Sequence, residues 1–502
     1  MEPRHNMGGL YMTHRLVKRI IAVFISLVIA LMLCSCAAPA KDGIAPPSDT
    51  AVTTTEPEVT TTEEVTTTEE VTTTEETTTE TTTEETTVTT TEATTVTTTE
   101  ATTVTTTEAT TVTTTEATTV TTTEATTVTT TKATTTEATT QEAISVSPYS
   151  EMSTMDYVLN FGIGINLGNT FEACGDWIAQ WGDGTVTSYE TAWGSPVVTE
   201  KMIKGYADAG FGVVRIPVAW SNMMDNNYNI DQRYLDRVKE VTSWVVENGM
   251  CAIVNIHWDG GWWEEFPTNE KELMKKYTRI WEQICGNFGD FGHEVMFESL
   301  NEEGCWNDVW NRWGGTSGKQ EAYELLGRIN QKFVDVVRSS GKNNTDRHLL
   351  IAGYATDVDL TCDSMFVMPN DPAGRYAVSI HYYTPSTFAI LSEDASWGKA
   401  QATWGTSAEV SELKNNMDKL YDRFISKGIP VIMGEFGCAT SNKEVSQVRN
   451  YMSSVCKEAY IRGVCPVVWD TPGGFYDRNT AKFTDTELLK QIMDVKKLDR
   501  KK

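Results

Sequence analysis

The chain has 502 residues, a formal net charge of −28 and 15 tryptophans, and its composition breaks twice. Residues 1–47 carry +3, residues 48–141 carry −17 and the remainder −14. An acidic tether on an acidic domain lacks the clustered Lys and Arg that phosphate binding needs, which excludes nucleic acid and favours a neutral polymer as partner.

Residues 1–36 read as an export signal. Arg15, Lys18 and Arg19 supply positive charge, and Ile20 to Leu33 form an apolar run of fourteen residues. That run is too short for a membrane span and right for a signal-peptide core. It closes Leu33-Cys34-Ser35-Cys36-Ala37, which is similar to a bacterial lipoprotein cleavage site. The resemblance implies lipidation at Cys36, with the membrane touched only through that anchor. Ordinary secretion after Ala37 or Ala38 is the alternative.

Residues 37–142 form the second segment. From Val88 the unit V-T-T-T-E-A-T-T recurs every eight residues, with Lys132 replacing Glu in the last. Only Val and Ala are apolar, so the stretch cannot bury enough surface to offset its chain entropy. It is expected to be a disordered spacer at the cell surface, extended by like charges and open to O-glycosylation.

Residues 143–502 carry the fold. Apolar, β-branched runs predict strands at Gly162–Gly168, Val213–Val218, Cys251–Trp258, Val295–Leu300, His348–Ala355, Ala377–Tyr383, Pro430–Phe436 and Val464–Trp469. Amphipathic helices are predicted at Thr199–Ala209, Asp231–Asn248, Lys271–Phe288, Gln320–Ser340, Ala408–Lys427 and Lys443–Arg462. Strands alternating with helices indicate a parallel sheet, and runs apolar throughout fit a closed (β/α)8 TIM barrel. An open doubly wound sheet would want a Gly-rich phosphate turn after its first strand, and Gly162-Ile163-Gly164 lies within one.

Polar and aromatic residues gather at one end of these strands. Arg215 ends the second, His257 the third and Asn301-Glu302 the fourth. His381 and Tyr383 end the sixth, Glu435 the seventh and Trp469 the eighth. Any one alone reads as a hydrogen-bonded or packed core residue. Six strand ends together read as one mouth, where barrels keep their chemistry.

Two carboxyls facing each other there can hydrolyse a glycosidic bond. One protonates the leaving oxygen and the other attacks the anomeric carbon, about 5–5.5 Å apart in the retaining case. Arg215 can keep Glu435 ionised and Tyr383 can orient it, while Asn301 can hold a sugar hydroxyl near the reacting carbon. The eight cysteines of the domain include no C-x-x-C pair, and no H-E-x-x-H is present. No metal and no cofactor is expected, and no disulfide is required.

The segments Val213-Val214-Arg215-Ile216-Pro217-Val218, Asn301-Glu302, His381-Tyr382-Tyr383-Thr384-Pro385 and Gly434-Glu435-Phe436-Gly437 resemble the signatures of glycoside hydrolase family 5. Gly164-Ile165-Asn166-Leu167-Gly168-Asn169-Thr170 resembles the opening strand of its endoglucanases. The resemblance implies Glu302 as proton donor, Glu435 as nucleophile, and Arg215, His257, Asn301, His381, Tyr383 and Trp469 as the binding and orienting set. It implies a retaining endo-1,4-β-glucanase, extracellular and expected as a monomer acting on a β-glucan. A mannanase, a xyloglucanase or a surface glycan-binding protein are the other readings.

Two positions depart from the family pattern. Glu303 stands where proline is frequent, and is expected to turn outward as the neighbour of Glu302 in an alternating chain. Trp258 stands where a second histidine is frequent. The loop tryptophans Trp258, Trp262, Trp263, Trp306, Trp310 and Trp313 are expected to divide between sugar stacking and packing, with Trp469 on the floor beneath the reacting sugar.

Overall fold

The computed structural model describes residues 147–314 and 317–501. The export signal, Cys36 and the repeat spacer lie outside the described residues.

Eight parallel strands close into a barrel in sequence order: β1 Gly164–Asn166, β2 Val213–Ile216, β3 Cys251–Asn255, β4 Val295–Glu298, β5 Leu349–Ala352, β6 Tyr376–Tyr382, β7 Val431–Phe436 and β8 Cys465–Val468. Closure is made by β1 pairing β8, with Gly164 opposite Val467. The predicted strands are all present, and seven of the eight are shorter than expected; β6 keeps its length and starts one residue earlier. In all but β7 the predicted C-terminal residues leave the hydrogen-bonded ladder to form the mouth, so the apolar pattern overruns the pairing.

Helices Glu200–Ala209, Gln232–Glu247, Phe266–Phe288, Lys319–Ser339, Ser407–Arg423 and Val445–Ile461 cover the outside. Thr199, Asp231 and Thr406 cap three of them by accepting backbone N–H groups with their side chains. Each helix lays one apolar face on the strands. Trp281, for example, is fully buried between Phe297 of β4 and Phe333 of the next helix.

The barrel interior is layered along its axis. Val213, Ile253, Met296, Ala377 and Ile432 fill its lower part. Two residues further along the same strands come Arg215, Asn255, Glu298, Ser379 and Gly434, on the same inward face because side chains alternate. The polar residues thus line the mouth and the apolar ones the floor.

The floor is closed by a further helix, not among those predicted, Thr154–Phe161. It inserts Tyr157, Val158 and Phe161 into the interior cluster. Tyr157 stacks on the His348 ring at 4.1 Å and meets Phe161 edge-on. Beyond β8 a short hairpin, β9 Tyr476–Asp477 with β10 Lys482–Phe483, and a helix Thr486–Asp494 complete the chain.

Candidate active site

Arg215 organises the mouth. Its side chain is wholly buried, and its guanidinium donates from Nε to Glu298 Oε2 at 2.6 Å. Nη1 donates to Asn166 Oδ1 at 3.1 Å and to Glu435 Oε1 at 2.8 Å, and Nη2 to Asn301 Oδ1 at 2.8 Å. A buried guanidinium is tolerable only when its fork is satisfied in this way. Glu298, a carboxylate in the strand interior, is the compensating charge. It also accepts from Ser379 Oγ at 2.7 Å and Asn255 Nδ2 at 3.1 Å.

Glu435 reaches the mouth by a local irregularity. Between β6 and β7 the register slips, so that Ile380 pairs with Met433 but His381 pairs with Glu435. Gly434 is the extra residue. Its carbonyl is taken up by Asn166 Nδ2 at 2.8 Å. A β-bulge re-aims the side chains that follow it. Here it sets Glu435 and His381 opposite each other at the rim.

Glu302 enters from the turn after β4, in a left-handed conformation at φ +57. Gly304 follows at φ +126, where a Cβ would lie 2.7 Å from the Tyr354 ring, so only glycine fits. His381 joins the two carboxyls. Its Nδ1 lies 2.8 Å from Glu302 Oε1 and 3.6 Å from Glu435 Oε2.

One oxygen of Glu302 and one of Glu435 lie within 4.8 Å of each other and of the His381 nitrogen. Among the described residues this is the sole grouping with the spacing of a metal site. The Arg215 guanidinium on Glu435 opposes a second cation there. Tyr383 donates its hydroxyl to Glu435 Oε2 at 2.9 Å.

Burial pushes the Glu435 carboxyl up, against the pull of His381, Arg215 and the Tyr383 hydrogen bond. Partial desolvation pushes Glu302 the same way, but the His381 hydrogen bond and charge outweigh it and hold that carboxyl below its usual range. Glu302 is the open member, with 42% of its side chain exposed against 6% for Glu435. The two titrate as a pair across the imidazole. Burial, with the nearby Arg215 guanidinium adding, pushes the His257 imidazole well below its usual range. Its ring lies parallel to that of Trp469 at 5.8 Å, with Nε2 4.0 Å from Glu435 Oε1.

All eight expected site residues of the domain converge here. Asn166, Asn255, Glu298 and Ser379 belong to the same network without having been among the expected site residues. Their signal was available as polar residues on the inward register of otherwise apolar strands. Asp470, beside Trp469, was also missed. Its Oδ1 accepts from the Phe475 and Tyr476 N–H groups at 2.8 and 3.0 Å.

One expectation is overturned. Glu303 is fully buried, not turned outward. Strand alternation ends at Glu298, and the left-handed turn at Glu302 rotates the next side chain inward. The loop tryptophans differ in burial. Trp263 and Trp306 are buried packing, whereas Trp313 is 58% exposed.

The family description "Cellulase (glycosyl hydrolase family 5)" matches residues 175–472. Endoglucanase B of Clostridium cellulovorans is 32% identical over 322 residues, covering 64% of this chain and 68% of that protein. A xyloglucan-specific endo-beta-1,4-glucanase of Bacteroides ovatus is 30% identical over 363 residues, covering 68% and 70%. A broad specificity endoglucanase from an uncultured bovine rumen ciliate superimposes with a TM-score of 0.63 at 31% identity, over 69% of this chain and 99% of that one.

Proposed function

The chain belongs to glycosyl hydrolase family 5, and on that premise we propose that it is a retaining endo-1,4-β-glucanase in which Glu302 is the proton donor and Glu435 the nucleophile. The observation that carries the reading is the separation of the two carboxyls, within 4.8 Å across one mouth. That spacing suits direct attack by a carboxylate and leaves no room for an intervening water.

In the first step Glu435 Oε2 or Oε1 bonds the anomeric carbon while the glycosidic C–O bond breaks. Its electron pair goes to the leaving oxygen, which takes the proton from Glu302. In the second step Glu302 takes a proton from water, whose oxygen displaces Glu435 and regenerates the carboxylate. Two hydrogen bonds, from Arg215 and Tyr383, favour the negative charge on Glu435. A bound sugar removes the solvent contact of Glu302, and the nearby charge of Glu435 then favours its protonated form. Once Glu435 is esterified that charge is gone, and Glu302 is free to act as base.

His381 serves both states. Its Nδ1 can accept from protonated Glu302 or donate to the ionised form. Asn301 spends its oxygen on Arg215 and keeps its amide N–H groups for a sugar hydroxyl. Trp469, braced by His257, offers its face to the reacting ring.

Glu302→Gln and Glu435→Gln assayed on carboxymethylcellulose test the assignment. Each should lower turnover by at least about 10²-fold. Near wild-type turnover in either would sink it, and would also reopen the glycan-binding alternative, for which neither carboxyl is needed. Barley β-glucan, xyloglucan, glucomannan and xylan, compared by kcat/KM, separate the glucanase reading from the xyloglucanase and mannanase ones. The similarity to a xyloglucan-specific relative supports including xyloglucan first.

Export to the cell surface belongs to the same proposal, with Cys36 as the lipid anchor and the repeat spacer as the tether. Among the described residues no helix is long and apolar enough to cross a membrane. Cys36→Ser should move the protein from the membrane fraction to the medium, and unchanged membrane association would remove the anchor.

A further inference from the structure

Glu303 is a carboxyl enclosed without a cation. Its side chain is fully buried, and no ion pair reaches it among the described residues. Oε1 accepts the Asn301 N–H at 2.7 Å, while Oε2 has no hydrogen-bond partner. The groups that face it are the Glu298 and Glu302 carboxyls from its own segment and the Tyr277 hydroxyl from the helix Phe266–Phe288. Tyr277 spends its proton on the Ser299 carbonyl at 3.1 Å. Every neighbour is negative or neutral. Burial, with the charges of Glu298 and Glu302 adding, holds the Glu303 carboxyl well above its usual range. An ionised carboxylate enclosed without a cation, with one oxygen unpartnered, is strongly disfavoured, so the group is held neutral.

Its hydrogen bond spans Glu302. The side chain of residue 303 reaches back to the backbone of residue 301, and residue 302 between them is left-handed. Such a conformation is unfavourable in a residue with a Cβ and persists only where its surroundings over-determine it. The Glu303 carbonyl is fixed as well, by the Ala355 N–H from the loop after β5. Cys305, also left-handed, is held by the Tyr354 hydroxyl on its N–H at 3.1 Å.

We propose that Glu303 is a positioning residue whose uncharged carboxyl clamps the turn that aims Glu302 at the glycosidic oxygen. The proline frequent at this position in the family stiffens a turn by its ring. Glu303 achieves the equivalent through a side-chain hydrogen bond, and must stay protonated to avoid a third charge beside Glu298 and Glu302. The inference rests on the reading of Glu302 as proton donor.

Leaving-group dependence separates aim from general damage. A phenyl β-cellobioside needs its leaving oxygen protonated, whereas a 2,4-dinitrophenyl β-cellobioside does not. In the full chain, Glu303→Leu removes the acceptor at similar volume. It should lower kcat/KM on the phenyl substrate by about 10²-fold and on the dinitrophenyl substrate by less than about threefold. Glu303→Gln keeps an oxygen for the Asn301 N–H and carries no charge. It should restore the phenyl activity to within about threefold, with the alkaline limb of kcat/KM moved by less than about 0.5 pH unit.

An equal fall on both substrates in Glu303→Leu, or no fall, overturns the clamp. A displaced alkaline limb in Glu303→Gln overturns the neutral state, and that variant decides alone if the leucine variant does not fold. Glu302→Gln is the control. If it shows the same leaving-group discrimination and Glu303→Leu does not, the clamp fails by itself. If Glu302→Gln shows none, the donor assignment fails and takes the clamp with it.

Discussion

At the residue scale the mouth is held by few charges that are each multiply satisfied. Arg215 pairs with both Glu298 and Glu435, and removing one member of such a buried set leaves the others uncompensated. A second buried acid behaves differently. Burial pushes the Asp470 carboxyl up to about 7, against the pull of Arg478 and two backbone N–H groups. The folded protein therefore keeps a proton that the unfolded chain releases above about pH 4. Stability from this group is present below that pH and is lost as pH rises to about 7. Asp470→Asn keeps the acceptor for Phe475 and Tyr476 and abolishes the titration. Urea midpoints from pH 4 to 8 should show wild type losing ground to the variant across that window and not beyond it. A constant gap would refute the assignment.

At the element scale the site depends on two features that are not elements in the usual sense. The slip between β6 and β7 brings Glu435 opposite His381, and the turn after β4 swings Glu302 over the mouth. Straight strands would have sent Glu435 to the other face. The rest of the barrel is a scaffold that holds these two irregularities at fixed distance. Its floor depends on the helix Thr154–Phe161, which buries Tyr157, Val158 and Phe161 in the interior cluster. Tyr157→Ala should destabilise the domain by about 3–5 kcal/mol, because the cavity it leaves lies beneath eight strands that cannot collapse inward. Urea unfolding measures this, and kcat well below the melting temperature should be unchanged. A loss below about 1 kcal/mol would mean that the helix is not the plug it resembles.

At the scale of the whole molecule the described residues contain all eight expected site residues of the domain. A protein beginning at Val146 should therefore match the full chain in kcat/KM on soluble carboxymethylcellulose and in melting temperature. A fall of tenfold or more would give residues 1–145 a part in the reaction. The domain and the spacer both carry net negative charge, −14 and −17. Both acidic segments oppose polyanions and favour an uncharged polymer, on which aromatic faces and a few hydrogen bonds carry recognition.

Sequence by itself determined the barrel, the order of its strands and the identity of the convergent residues. Those follow from local rules, since alternation and apolar runs fix which residues face inward and the C-terminal strand ends fix where they meet. Asn166, Asn255 and Ser379 obeyed the same rule and were legible to a stricter use of it. Glu303 was not legible. Its direction depends on a left-handed turn that no propensity of Glu302 requires, and that exists because Tyr354, Ala355 and its own side chain hold it. The helix under the barrel was also silent, because Tyr157, Val158 and Phe161 read as an ordinary amphipathic face until eight strands provide the hole. Only the tertiary structure decided how buried each carboxyl is, what faces it and how far apart Glu302 and Glu435 stand, because those depend on neighbours far away in the chain.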